Sequence, residues 1–100
     1  MNENELDFRI RILLAKARNL YYYTSLITSP RIQLMHPVRG FRKNCVDLLR
    51  IIPEGNMKYE FTRTWLLDVI RSISPKITSE ECKPWIINVL GGKLKVINNE

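Results

Sequence analysis

A chain of 100 residues, 45% hydrophobic and 26% charged, is one domain over 1–100, large enough for a modest core and too apolar to be disordered throughout. The start, MNENELD, is acidic and polar, unlike a signal peptide, and no apolar run approaches the roughly 20 residues of a membrane span. Cys45 and Cys82, with no CxxC spacing and a single histidine in the chain, read as buried thiols of an intracellular protein of cytoplasm or nucleus, with no metal or cofactor expected.

The first element opens on Asn2 as an N-cap with Glu5 three residues on, a capping-box spacing, and acids in the first turn suit the helix dipole. Leu6, Ile10, Leu13, Leu14, Ala17, Leu20 and Tyr21 then form one stripe at helical spacing. A rival signal is the alternation of Leu6, Phe8, Ile10 and Ile12 with charged residues, as in a strand. The helix formers of LLAKARNL carry the stripe onward and decide for helix. It is expected to stop before Thr28-Ser29-Pro30, because proline biases the residue before it away from the helical region.

Residues 29–40, punctuated by Pro30, Pro37 and Gly40, read as a connector with one helical turn around Ile32–Met35. Within it, HPVRGFRK at 36–43 resembles a basic, anion-binding loop leading into a helix N-terminus, though it lacks the glycine spacing of a Walker motif. From Phe41 the stripe Phe41, Cys45, Leu48, Leu49, Ile52 predicts a second helix, closed by PEGN at 53–56. Asn56 caps a third, with stripe Phe61, Trp65, Val69 and Ile73, stopped by Ser74-Pro75. Thr78 and Glu81 repeat the cap signal, and Pro84 predicts a turn at 79–83 with a helix restarting at the proline. Trp85, Ile86, Val89 and Leu90 follow, and Gly91-Gly92 is expected to end that helix. KLKVI at 93–97 alternates, which leaves a short C-terminal strand open. The fold class is all-α, a compact bundle of four to five helices, with a core containing Leu13, Leu20, Leu48, Ile52, Trp65, Val69 and Leu90.

The net charge of +6 is unevenly spread. No acid lies between Phe8 and Val46, a window holding Arg9, Arg11, Lys16, Arg18, Arg31, Arg39, Arg42 and Lys43. Phe8, Phe41 and the triple Tyr21-Tyr22-Tyr23 share it. Consecutive helical positions turn by about 100°, so three tyrosines in a row cannot all face one core. With Leu6 at zero, Tyr21 falls near 60° in the stripe, Tyr22 near 160° beside Arg11 and Arg18, and Tyr23 near 260° beside Arg9 and Lys16. Phe8, Ile12 and Ala15 lie at roughly 180° to 240°, opposite the core stripe, where a surface helix would be polar. They are expected to be covered by the C-terminal segment or by a second copy.

Enzyme chemistry finds no support: His36 is alone, so a two-histidine metal site is ruled out, and nothing local activates Cys45 or Cys82. Two readings remain. In the first, a small non-enzymatic accessory protein binds RNA or single-stranded DNA, with phosphates on the eight bases and Tyr22, Tyr23 or Phe41 stacking on nucleobases. In the second, the chain is a protein-interaction module (an adaptor, inhibitor or assembly subunit) that oligomerises or meets an acidic protein partner through Phe8, Ile12 and Ala15, with tyrosine and arginine as anchors.

Overall fold

In a computed structural model the chain is helical from near its first residue to near its last, with residues 2–26 and 33–98 described. Helix α1 spans Glu3–Leu26, α2 Met35–Ile51 and α3 Glu60–Ser72, the last entered through a 3-10 turn at Met57–Tyr59. Helix α4, Ser79–Pro84, passes into a π-helical segment, Trp85–Leu90, and this into α5, Gly91–Asn98, with no break between them. The all-α expectation holds, and the described residues contain no strand. No helix among them is long and apolar enough to cross a membrane.

The local signals act where they were read. Asn2 Oδ1 accepts from the Glu5 backbone N–H at 2.8 Å. Asn56 Oδ1 accepts from the Lys58 N–H at 3.0 Å, and Thr78 with Glu81 forms a complete capping box. Each satisfies orphan donors that the first turn of a helix leaves exposed. Gly55, the one described residue with positive φ (76°), turns the chain between α2 and α3.

Four expectations are corrected. Helix α2 starts at Met35, not Phe41, so Pro37 and Gly40 lie inside its first turns and 36–43 is helix rather than an anion-binding loop. Proline is tolerated there because the first-turn N–H groups have no intrahelical acceptor. Helix α4 runs into Pro84 instead of restarting at it, and the missing N–H is followed by the π segment. Cys82, Ile86, Leu90 and Leu94 are all buried at intervals of four. A regular α-helix would carry that repeat steadily off the core, and one wider π turn restores the phase. The Gly91-Gly92 pair does not end this helix, and 93–97 is helical rather than a strand. Gly91 is buried under the ring of Tyr21, where an added Cβ would lie 2.7 Å from Tyr21 Cε2.

The core holds Leu13, Leu48, Ile52, Trp65, Val69 and Leu90 as expected, with Leu20 packed at its edge. Phe61, by contrast, lies outside the core on α3, 40% exposed. Helix α1 lies across α2 and the π segment, and α3 packs on α2. Trp65 Nε1 donates to the Lys93 carbonyl at 3.0 Å, and Trp85 Nε1 to Ser72 Oγ at 2.9 Å, tying the C-terminal helix to α3. The N-terminus of α1 is clamped to the 3-10 turn: Lys58 Nζ lies 3.2 Å from Asp7 Oδ2, and the Tyr59 hydroxyl donates to Asp7 Oδ1 at 3.1 Å. With Leu6, Leu13, Ala17 and Thr24 facing inward, the rotation of α1 about its axis is set, and so is the face it turns to solvent.

Candidate interaction surface

That outward face is apolar. Phe8 is 60% exposed, Ile12 41%, Tyr22 63% and Leu26 81%, with Ala15 and Asn19 exposed between them. The positions 8, 12, 15, 19, 22 and 26 alternate steps of four and three, the spacing of a coiled-coil seam. Phe8, Ile12 and Ala15 are therefore not covered by the C-terminal segment, which packs on the opposite side of α1. Asn19 and Leu26 were missed as members of this stripe. The spacing that includes them is present in the sequence, but polar Asn19 interrupts it, and Tyr22 reads first as a neighbour of the bases.

The bases of α1 form two edges along the stripe. By the helical angle, Arg9 and Lys16 stand on one side and Arg11 and Arg18 on the other. Arg9 meets Glu5 one turn earlier at 3.7 Å, both side chains half exposed. Tyr23 is exposed on the Arg9–Lys16 side, and Tyr22 stacks edge-on against Tyr21 with centroids 5.9 Å apart. On the Arg9–Lys16 side two adjoining grooves run between α1 and α2 and share Lys16 and Asn44. Ile12, Asp47 and Ile51 line the first, and Asn19 and Tyr23 the second.

The bases of α2 are placed differently. Arg39 Nη2 donates to the Ile77 carbonyl at 2.9 Å, and Arg42 Nε to the Ile73 carbonyl at 3.0 Å. Both guanidinium groups close the end of α3 and its connection to α4, satisfying carbonyls a helix end leaves open. Arg39 and Arg42, with Lys43, Arg50 and Asp47, also border a third groove. Phe41 is buried against Trp85, with centroids 6.3 Å apart, and reaches only the floor of the second groove, too little exposed to stack on a base. The window read as one basic, aromatic segment is thus divided between α1 and α2, with Phe41 inside and Phe8 exposed. Arg31 lies outside the described residues.

Nucleophile chemistry gains nothing from the fold. Cys45 and Cys82 are buried and unbridged. Burial pushes the Cys45 thiol up to about 12 and also raises that of Cys82, whereas a reactive cysteine needs its thiolate. His36 is exposed in the first turn of α2. Among the described residues no group of three or more His, Cys, Asp or Glu is placed to hold a metal ion.

Comparison with protein-family models, with curated proteins and with solved structures found no match to this chain.

Proposed function

We propose that this chain is a small non-enzymatic protein-interaction module that docks a partner through the outward face of α1. The carrying observation is the alignment of Phe8, Ile12, Ala15, Tyr22 and Leu26 in solvent along one helix. Single exposed apolar residues are ordinary, but an apolar stripe along one helix face, broken only at Asn19 and rimmed by bases, is the kind of surface that another molecule covers. Burying it returns about 25 cal/mol per Å² of apolar area, and tyrosines beside arginines are the side chains that anchor interfaces. The scaffold suits the role, since the inward face of α1 is held by the core while the outward face needs no rearrangement to bind.

The groove bordered by Arg39, Arg42, Lys43 and Arg50 favours a second reading, the RNA- or single-stranded-DNA-binding accessory protein. Phosphate contacts there predict log affinity falling with log salt by about 0.7 per contact on a single strand.

Photo-crosslinking separates the two. A photoreactive amino acid at position 8 or 12, in the protein expressed in its native host, is expected to give discrete protein adducts. The same group at Met57, which is 86% exposed and off the stripe, gives none. Adducts equally abundant at position 57, or absent at 8 and 12, overturn the docking proposal. Nuclease-sensitive adducts at Lys43 establish the second reading in its place.

A further inference from the structure

We propose that the occupant of the α1 face is an amphipathic helix from a different protein, with acidic residues along both edges of its apolar stripe, and that a second copy of this chain is excluded. The inference rests on the docking reading above and adds the chemistry of the partner.

Its basis is the charge at the seam. Taking Ile12, Asn19 and Leu26 as a positions and Phe8, Ala15 and Tyr22 as d positions, the e positions are Arg9, Lys16 and Tyr23, and the g positions Arg11, Arg18 and Ser25. Four of these six flanking positions are basic, none is acidic, and α1 has no acid beyond Asp7. In a parallel pair of helices g residues face e residues of the partner, and in an antiparallel pair e faces e and g faces g. Two copies of α1 would therefore oppose base to base in either orientation. Like charges so placed destabilise a helix pair, and opposite charges stabilise it and select the partner. The nearby acids temper this without reversing it. Glu5 meets Arg9 at 3.7 Å. Asp7 is bonded to Lys58 and Tyr59 and lies near enough to Arg11 to be lowered by it, and Asp47 borders the groove on the Arg9–Lys16 side.

Asn19 adds a second constraint. A polar residue at a single a position fixes register at a cost in stability, because its amide needs a partner once buried. The occupant accordingly carries a polar side chain opposite Asn19. The seam drifts by about 20° per heptad around α1, which a shallow left-handed crossing accommodates. The exposed run from Phe8 to Leu26 spans about 27 Å at 1.5 Å per residue, so it takes a helix of about five turns.

The test uses the intact chain and two synthetic peptides of four heptads that share one apolar seam with a single asparagine. One carries glutamate at every e and g position, the other lysine. The chain alone is expected to sediment as a monomer at low salt up to several hundred micromolar, and a dimer there overturns the exclusion of self. The glutamate peptide is expected to bind at least about tenfold more tightly than the lysine peptide, the ratio shrinking as salt is raised. The double variant Arg11→Glu, Lys16→Glu, which leaves two bases and two acids on the edges, its fold checked by circular dichroism, is expected to abolish the preference. Equal binding of the two peptides overturns the charge assignment while position-12 crosslinks still uphold docking. No binding of the glutamate peptide at millimolar concentration overturns the helical partner, and loss of the crosslinks as well removes docking itself.

Discussion

Replacing Gly91 by alanine would place a methyl carbon 2.7 Å from Cε2 and 3.4 Å from both Cδ2 and Cζ of Tyr21. Carbon atoms rest about 3.5–4.0 Å apart, so the ring or the C-terminal helix must yield by roughly 0.8 Å or more. Tyr21 is packed against the core and against Tyr22, which leaves little room for retreat. Overpacking of this kind costs about 1–3 kcal/mol, offset by the roughly 1 kcal/mol that alanine gains over glycine in a helix. Gly92, the next residue of the same helix, is exposed and has nothing within 4 Å of its virtual Cβ. Gly92→Ala should therefore stabilise by about 0.5–1 kcal/mol while Gly91→Ala destabilises by up to about 2 kcal/mol. For a domain of this size 1 kcal/mol moves the melting temperature by about 4–8 °C, so thermal melts by far-UV circular dichroism resolve the pair. Adding Tyr21→Leu to Gly91→Ala should restore part of the loss, a coupling that distant sites do not show. A Gly91→Ala protein melting at or above Gly92→Ala would refute the close approach, and with it the rotation of α1 that turns Phe8 and Tyr22 outward.

Trp65→Ala should be among the most damaging single changes, about 3–5 kcal/mol by urea unfolding, because it empties a buried site and removes the hydrogen bond to the Lys93 carbonyl. The Asp7 clamp makes stability depend on pH. The hydrogen bond from Lys58 holds the Asp7 carboxyl below its usual value, and the same bond raises Lys58. The carboxylate contribution is thus present above the unfolded carboxyl pKa and lost as pH falls through the lowered folded value, and the Lys58 contribution is lost only as pH rises through its raised value. Asp7→Asn should lower the melting temperature at pH 7, and the gap to the unmodified protein should close as pH falls through the lowered value of the Asp7 carboxyl. A gap unchanged in acid would show that the clamp is not electrostatic.

What could be read without the fold was what neighbours in sequence decide. The caps at Asn2, Asn56 and Thr78 and the inward stripe of α1 depend on residues within a turn or two of one another, so pattern alone locates them. The signals read too strongly were those whose meaning depends on distant partners. Pro37 and Gly40 punctuate a sequence but sit inside α2, because the first turn of a helix does not need the N–H that proline lacks. Gly91 looks like a helix end and is instead a point of close packing on Tyr21. The alternation at 93–97 is overruled by burial of Leu94 and by the Lys93 carbonyl accepting from Trp65.

The candidate surface divides in the same way. That α1 is apolar on two faces follows from spacing alone, and so does the basic character of its edges. Which face is buried, and which of the eight bases are engaged in holding the fold, was decided by tertiary contacts. Arg39 and Arg42 are bound to carbonyls at the end of α3 and just beyond it, and Phe41 packs on Trp85. Charge and hydropathy are properties of a residue, whereas exposure belongs to the packing of the whole chain.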